Sequence, residues 1–259
     1  MEEKFRFKKK FGQNFINDEN ILKKIVNSVE INKDTLVIEI GCGAGALTKQ
    51  IKEKTNKFVG YEIDNSLKET LMKIDNNIIF DDFLKRNIKE DIKNYEYKNL
   101  YIVSNLPYYI TTPIITKIIN DKIDVDKMVI MVQKEVGERF MAKPKTKEYN
   151  SLTIYLNYYF NIYKLFNVSR AVFTPVPNVD SVVMCLEKKE KPNNLENEEI
   201  FFKLVKDSFV QKRKTLKNNL KGYNFEEISK ILKINGYEDN VRAEYLPIEM
   251  FINISNSIK

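Results

Sequence analysis

A glycine-rich loop joins a buried strand to a helix early in this chain, and few folds accept that order of elements. The apolar segment 35–40 predicts a strand, and the segment 46–52 has the residue spacing of a helix. Between them lies Gly41-Cys42-Gly43-Ala44-Gly45. A Gly-x-Gly-x-Gly loop in this position directs backbone N–H groups toward a ligand. The pattern predicts an α/β domain with a cofactor loop beside its first buried strand.

Apolar segments and helical patterns continue to alternate after this loop. Four further strands are expected at 57–63, 77–80, 99–104 and 127–132. Such alternation is typical of a parallel sheet with helices on both faces. Two later apolar segments, 152–160 and 182–186, are expected to close the sheet as an antiparallel pair of strands. The first part of the chain is therefore predicted to be a doubly wound α/β domain.

A charged segment at 188–199 interrupts these patterns, and it contains Pro192-Asn193-Asn194. Only helical spacing follows it. We therefore predict a domain of residues 1–188, which includes a basic N-terminal arm, and a small helical domain of residues 189–259. The cations of the arm are Lys4, Arg6, Lys8, Lys9 and Lys10.

Composition removes several classes of function. The chain has 43 Lys and Arg residues against 36 Asp and Glu residues, and this excess of +7 favours an anionic partner, nucleic acid before membrane surface. On charge alone, a basic protein without such a partner is the alternative. The absence of histidine excludes Ser-His-Asp triads and histidine zinc sites. Two cysteines are too few for a metal cluster, so no metal is expected, and they favour a reducing compartment. No segment approaches the roughly 20 apolar residues that span a bilayer, and no signal sequence is present at the start, so we expect a cytoplasmic protein.

Acidic residues follow two of the predicted strands. Glu62 ends the second strand, where a carboxylate would bind ribose hydroxyls, and Asp82 ends the third, where it could accept a hydrogen bond from an adenine amine. These positions fit S-adenosylmethionine. A dinucleotide site stays open, because Gly41, Gly43 and Ala46 also satisfy G-x-G-x-x-G/A. A nicotinamide-dependent oxidoreductase is therefore an alternative.

The tetrapeptide Asn105-Leu106-Pro107-Tyr108 ends the predicted strand at 99–104. An amide, a fixed turn and an aromatic ring in this position suit the binding of a flat, amine-bearing base. The Asn105 side-chain oxygen and the Leu106 carbonyl could each accept one amine hydrogen and direct the nitrogen lone pair at a methyl sulfonium. Tyr108 would stack on one face of the base, and Phe173 is our candidate for the other. Ordinary core packing before the Pro175-Val176-Pro177 turn is the alternative interpretation of Phe173. The sequence thus indicates methyl transfer to an amino group of a nucleobase.

A basic run near the C-terminus, residues 211–221, carries five cations and no acidic residue. If the run is helical, Lys214, Lys217 and Lys221 share one face. We expect Lys212, Arg213 and Lys214 to bind RNA phosphates. A merely solvated helix face is the alternative interpretation.

Six segments in this order resemble the bacterial small-subunit ribosomal RNA adenine N6,N6-dimethyltransferases nearly end to end. They are Phe11-Gly12-Gln13-Asn14-Phe15, Ile40-Gly41-Cys42-Gly43-Ala44-Gly45, Asn105-Leu106-Pro107-Tyr108, Gln133-Lys134-Glu135-Val136, Phe173-Thr174-Pro175-Val176-Pro177-Asn178-Val179-Asp180-Ser181 and Gln211-Lys212-Arg213-Lys214-Thr215-Leu216. The glycine loop alone is not specific, but the set is.

This resemblance implies a Rossmann-like, seven-stranded class I methyltransferase sheet with a small all-helical C-terminal domain. It implies transfer of four methyl groups from S-adenosylmethionine to N6 of two adjacent adenosines in a 3′-terminal hairpin of small-subunit (16S) rRNA, and a role in small-subunit assembly. We expect a monomer that binds neither metal nor membrane. The residues implied as cofactor contacts are Asn14, Ile16, Gly41, Glu62, Asp82 and Asn105.

Two further alternatives accompany the resemblance. Macrolide-resistance methyltransferases modify a large-subunit adenosine and typically carry Asn-Ile-Pro-Tyr, whereas this chain has Leu106. A noncatalytic RNA-binding assembly factor would keep the fold without the chemistry. The intact glycine loop and Asn105 count against that interpretation.

Overall fold

The structure is a computed structural model, and it describes residues 14–16, 18–190, 192 and 194–258. The basic N-terminal arm and Phe11-Gly12-Gln13 lie outside the described residues. The strands are β1 (Phe15–Ile16), β2 (Thr35–Ile40), β3 (Phe58–Tyr61), β4 (Ile78–Ile79), β5 (Asn99–Asn105), β6 (Lys127–Gln133), β7 (Phe160–Val168), β8 (Phe173–Thr174) and β9 (Ser181–Lys188). The helices are α1 (Glu19–Val26), α2 (Ala46–Lys52), α3 (Lys68–Met72), α4 (Ile88–Ile92), α5 (Thr111–Asn120), α6 (Lys134–Phe140), α7 (Ser151–Tyr159), α8 (Glu198–Ser208), α9 (Leu216–Asn219), α10 (Phe225–Ile234) and α11 (Ile248–Ser257).

Seven strands form one sheet in the order β4-β3-β2-β5-β6-β9-β7, which confirms the predicted fold class. Neighbours from β4 to β6 are parallel, and β9 runs antiparallel to β6. Every residue of β2 is buried, because helices cover both faces of a parallel sheet. The carboxyl ends of β2, β3, β4 and β5 therefore lie side by side along one edge of the sheet.

A second, two-stranded sheet brings the start of the described chain next to a much later loop. In it β1 pairs antiparallel with β8, and Ile16 lies opposite Phe173. Both side chains belong to the core that includes the first helices and the central strands. This pairing fixes the position of Asn14 and Phe15 relative to the main sheet.

The segment 152–160 is not a strand, contrary to the sequence-based expectation. It is helix α7, and Asn150 caps its N-terminus by accepting hydrogen bonds from the backbone N–H groups of Leu152 and Thr153, at 2.9 and 3.3 Å. The Thr153 hydroxyl accepts from the Asn150 N–H in return. A continuous apolar segment has no periodicity that separates strand from buried helix, and the capping residues at its start are the local signal that favours a helix. On the side of β9 opposite to β6, the hydrogen-bonded neighbour is β7, which begins where α7 ends.

The chain divides into two compact units, and the division differs from the predicted domains. One unit comprises the described residues up to 137 together with 163–188, and the other comprises 138–162 together with 189–259. The predicted domain 1–188 therefore loses 138–162, because Tyr149, Ile154 and Tyr158 pack into the apolar core of the second unit. That core also includes Phe201 and Phe251.

Candidate active site

One cleft in the first unit contains all six predicted cofactor residues. It lies at the carboxyl ends of the parallel strands and has a volume of about 230 Å³. The six residues are Asn14, Ile16, Gly41, Glu62, Asp82 and Asn105. Leu106 and Tyr108 line the same cleft. The structure thus brings together residues from five separate stretches of sequence.

The glycine loop needs its glycines for two reasons. Gly41, Gly43 and Gly45 have φ angles of 80°, 56° and 83°, a left-handed conformation that other residues rarely adopt. At Gly43 a Cβ atom would also lie 2.7 Å from the ring of Phe15. The N–H groups of Gly41 and Cys42 donate to the Tyr61 carbonyl, at 2.8 and 3.2 Å, which ties the loop to the end of β3.

Glu62 is 5% exposed and is held by two backbone N–H groups. Gly43 donates to Oε2 at 2.7 Å, and Asp64 donates to Oε1 at 2.8 Å. Burial raises the pKa of the carboxyl, and these two hydrogen bonds oppose the rise. Each oxygen keeps a second lone pair. The side chain therefore fixes the glycine loop and can still accept hydrogen bonds from a ligand.

Asp82 is half-buried in the turn that follows β4. Its Oδ1 accepts from the Leu84 N–H at 3.0 Å. No hydrogen bond to its Oδ2 occurs within the described part of the chain. This oxygen is therefore the one that can accept from a ligand amine.

The side-chain amide of Asn105 has a defined orientation. Its Nδ2 donates to the backbone carbonyl of Asn14 at 3.3 Å, so Oδ1 is the atom left to accept a hydrogen bond. The next residue, Leu106, is buried, and its N–H donates to the Met131 carbonyl at 3.1 Å. Just before Asn105, the Ser104 hydroxyl donates to the Ile40 carbonyl at 2.6 Å and joins the ends of β5 and β2. The strand end that carries the amide is thus fixed on both sides.

The two predicted stacking residues differ in position. Tyr108 is half-buried at the cleft, its hydroxyl lies 2.5 Å from Ser181 Oγ, and burial raises the pKa of the phenol. Phe173 is 1% exposed and packs in the core instead, and it is not among the residues that line the cleft. In this structure the Phe173 ring is therefore not presented to the cleft, and its stacking on a bound base stays a prediction. The pairing of β8 with β1 turns its ring inward.

Two residues that the sequence analysis did not place among the site residues, Tyr109 and Glu39, also line the cleft. The sequence favours a structural role for Tyr109, yet this residue is 55% exposed. Glu39 is 1% exposed, accepts from the Thr48 hydroxyl at 2.6 Å, and has a pKa raised by burial to about 8. The signal for Glu39 was present, because an acid in an otherwise apolar strand next to a glycine loop needs a reason.

The basic run lies in the second unit and is not one helix. Residues 211–215 form turns, and α9 spans only Leu216–Asn219. Lys214, Lys217 and Lys221 therefore do not share a helix face as expected. Lys212, Arg213 and Lys214 are exposed. The Lys214 N–H donates to the Gln211 carbonyl at 2.9 Å, and this bond tightens the turn that presents them.

Among the described residues, no group of three or more Cys, Asp or Glu side chains could hold a metal ion. No described helix is both long enough and apolar enough to cross a bilayer.

Comparisons with known proteins give a consistent result. The family model described as "Ribosomal RNA adenine dimethylase" matches residues 4–259. The chain is 44% identical over 268 residues to a ribosomal RNA small subunit methyltransferase A of Geobacillus thermodenitrificans, covering 98% of this chain and 92% of that one. It is 43% identical over 266 residues to the protein of the same name from Lactococcus lactis, covering 98% and 90%. A crystal structure of a dimethyladenosine transferase from Plasmodium falciparum superposes with a TM-score of 0.72 at 26% identity, covering 94% of this chain and 99% of that one.

Proposed function

This chain belongs to the ribosomal RNA adenine dimethylase family and uses S-adenosylmethionine to dimethylate adenine of ribosomal RNA, and we propose that its targets are two adjacent adenosines in a 3′-terminal hairpin of small-subunit rRNA. Four methyl groups are transferred, and each adenosine becomes N6,N6-dimethyladenosine. The names of the bacterial relatives at 43 and 44% identity support the small subunit over the large one.

The orientation of the Asn105 amide is the observation that carries the chemistry. Because Nδ2 is bonded to the Asn14 carbonyl, Oδ1 is the atom that accepts one hydrogen of the target amine. The Leu106 carbonyl accepts the other. With both hydrogens held, the nitrogen lone pair is directed away from the acceptors. A preorganised group of this kind contributes about 3–4 kcal/mol to the stability of the transition state.

The cleft residues fit the cofactor. Glu62 accepts hydrogen bonds from the ribose hydroxyls of S-adenosylmethionine, and Asp82 accepts from its adenine amine. The loop at Gly41, with Asn14 and Ile16, contacts the remainder of the cofactor. When bound, S-adenosylmethionine supplies a methyl carbon made electrophilic by the sulfonium. A side-chain base is not needed, because the target amine becomes acidic only after its nitrogen has bonded to carbon. Tyr108 stacks on the target base, which contributes roughly 1–3 kcal/mol and helps offset the cost of unstacking it.

The second unit binds RNA through Lys212, Arg213 and Lys214. Their exposure and positive charge support phosphate contacts. We propose that the protein acts as a monomer on the assembling small subunit, in the cytoplasm. Its two cysteine thiols are free, as is usual in a reducing compartment.

The proposed function is tested by mapping methylated nucleotides. Purified protein, S-adenosylmethionine and either small or large ribosomal subunits that lack adenine methylation are incubated, and the rRNA is analysed by nucleoside chromatography and primer extension. We expect N6,N6-dimethyladenosine at two adjacent positions of small-subunit rRNA and none in the large subunit. Methylation of a large-subunit adenosine would contradict the substrate assignment. Binding without any dimethyladenosine would favour the assembly factor.

A further inference from the structure

A second group of cations lies beside the basic run in the second unit. Lys143, Lys145 and Lys147 are exposed and belong to the loop between α6 and α7. They are far from Lys212 in sequence, yet the Lys212 ammonium donates to the Lys147 backbone carbonyl. This bond puts the two groups of cations next to each other.

Both loops are held in a fixed form. In the first loop, the Thr146 hydroxyl donates to the Lys143 carbonyl at 2.7 Å, and the Lys145 N–H donates to the Glu244 carbonyl at 2.7 Å. In the second loop, the Asn219 amide donates to the carbonyls of Ser208 and Gln211, at 2.8 and 3.2 Å. The cations are therefore displayed from two ordered turns.

These cations are not used in ion pairs. Elsewhere in the chain, lysines such as Lys52 and Lys203 contact carboxylates at 2.5 and 2.8 Å. Within the described residues, no carboxylate oxygen lies within 4 Å of the charged groups at positions 143, 145, 147, 212, 213 and 214. Six cations that make no ion pair within the described residues, on two adjacent turns, form a surface that favours a polyanion.

The backbone of Lys145 bears on the choice of residue at this position. Its φ angle is 73°, in the left-handed region where Gly or Asn is far less strained. Glycine would relieve this strain, but it would also remove one positive charge from the surface.

We propose that Lys143, Lys145 and Lys147 complete, with Lys212, Arg213 and Lys214, a single surface that binds the phosphate backbone of the substrate RNA. This inference rests on the proposed RNA-binding role of the second unit and extends it to a loop distant in sequence. A folded RNA offers successive phosphates to such a surface.

The test uses Lys145→Gly, because glycine suits the left-handed backbone and the variant should fold at least as well as the parent. Lys122→Gly is the matched control. Lys122 is also exposed, also has a positive φ of 50°, and lies after α5 in the first unit. Both variants lose one positive charge and gain the same backbone freedom. Lys145→Arg restores the charge.

Binding is measured by fluorescence anisotropy with a labelled, unmodified 3′-terminal fragment of small-subunit rRNA, over a range of salt concentrations. We expect Lys145→Gly to weaken binding roughly fivefold near 0.1 M salt and to lower the salt slope by about 0.7–0.9, the effect expected when one phosphate is no longer neutralised. Lys122→Gly and Lys145→Arg should bind as the parent does. All variants should keep the parent melting temperature or exceed it, and their affinity for S-adenosylmethionine should not change.

Equal RNA affinity of Lys145→Gly and Lys122→Gly would overturn the inference, and so would a loss of binding in Lys145→Arg. A triple Lys212, Arg213, Lys214→Gln variant separates this failure from failure of the proposed function. If the triple variant binds RNA weakly while Lys145→Gly binds normally, the second unit binds RNA without the loop at 143–147. If both bind as the parent does, the RNA-binding role of the second unit is wrong as well.

Discussion

The cleft of the first unit and the basic surface of the second unit both depend on ionisable side chains, but these side chains lie in opposite environments. Glu39 and Glu62 are buried and bonded to neighbouring hydroxyl or N–H groups. Lys145 and Lys212 are exposed, and no carboxylate within the described residues pairs with them. Ionising a buried carboxyl group costs free energy, so burial raises the pKa of both glutamates. An exposed charge costs little free energy of folding, and salt screens its attraction for a distant anion.

The strongest test of the cleft is removal of the Asn105 amide. We expect Asn105→Ala to lower kcat by roughly 10²- to 10³-fold, equivalent to about 3–4 kcal/mol, because the target amine loses one of its two oxygen acceptors. RNA affinity and melting temperature should stay near the parent values. The measurement is single-turnover methylation of unmodified small subunits.

Asn99→Ala is the matched control, since Asn99 lies at the opposite end of the same strand, β5. It should leave kcat unchanged. If the kcat of Asn105→Ala were within threefold of the parent value, the catalytic assignment of Asn105 would be abandoned. The cleft would then depend on no single acceptor side chain, and the comparison with the basic surface would lose its basis.

A second prediction concerns the buried acid Glu39. Its pKa is raised from 4.5 to about 8, so its contribution to stability is present below the unfolded pKa and is lost as pH rises through the folded pKa. Glu39→Gln cannot ionise and should remove this loss. The difference between the folded and unfolded pKa values limits the gain in free energy of unfolding near pH 8 to roughly 5 kcal/mol. We expect about half of that value, because water that penetrates the site lowers the cost of ionising Glu39.

The measurement is urea unfolding of the parent and of Glu39→Gln between pH 5 and pH 8. Glu53→Gln serves as the control, because Glu53 is exposed at the end of α2. A parent whose stability does not fall over this range, relative to Glu39→Gln, would show that Glu39 is not destabilised by burial.

The smallest effect on stability is expected at the basic surface. The triple Lys212, Arg213, Lys214→Gln variant should change the free energy of unfolding by about 0.5 kcal/mol or less, because the three side chains are exposed and make no ion pair within the described residues. Its RNA affinity should fall, with a salt slope reduced by about 0.7–0.9 for each phosphate that the variant no longer neutralises. A large loss of stability in urea would mean that these residues hold the second unit together. The exposed cations would then affect the free energy of unfolding as much as the buried Glu39 does.

Much of the first unit could be predicted from local sequence. The strand at 35–40, the helix at 46–52 and the glycine loop between them were predicted at the bounds that the structure has. The reason is that apolar runs, helical spacing and left-handed glycines are short-range signals. The acids at positions 62 and 82 were placed at the cleft by the general rule that parallel strands end at the same edge.

The failures share a different cause. Segment 152–160 carries apolar residues without a clear period, and the Asn150 cap made it a helix of the second unit. Phe173 has the right residue type for stacking, but the pairing of β8 with β1 buried it. The basic run has the expected positive charge, but residues 211–215 form turns, and helix α9 begins only at Leu216.

From the order of its residues alone, this chain specifies a parallel sheet, a glycine loop for a cofactor and an Asn-Leu-Pro-Tyr turn at a strand end, because each depends on neighbours a few positions away. Tertiary packing determined that Asn105 Oδ1 is left to accept a hydrogen bond in the cleft and that Tyr108, not Phe173, lines it. It also placed Lys147 next to Lys212. Those outcomes depend on contacts between residues distant in sequence, such as Asn14 with Asn105. Their geometry is set only when the whole core has packed.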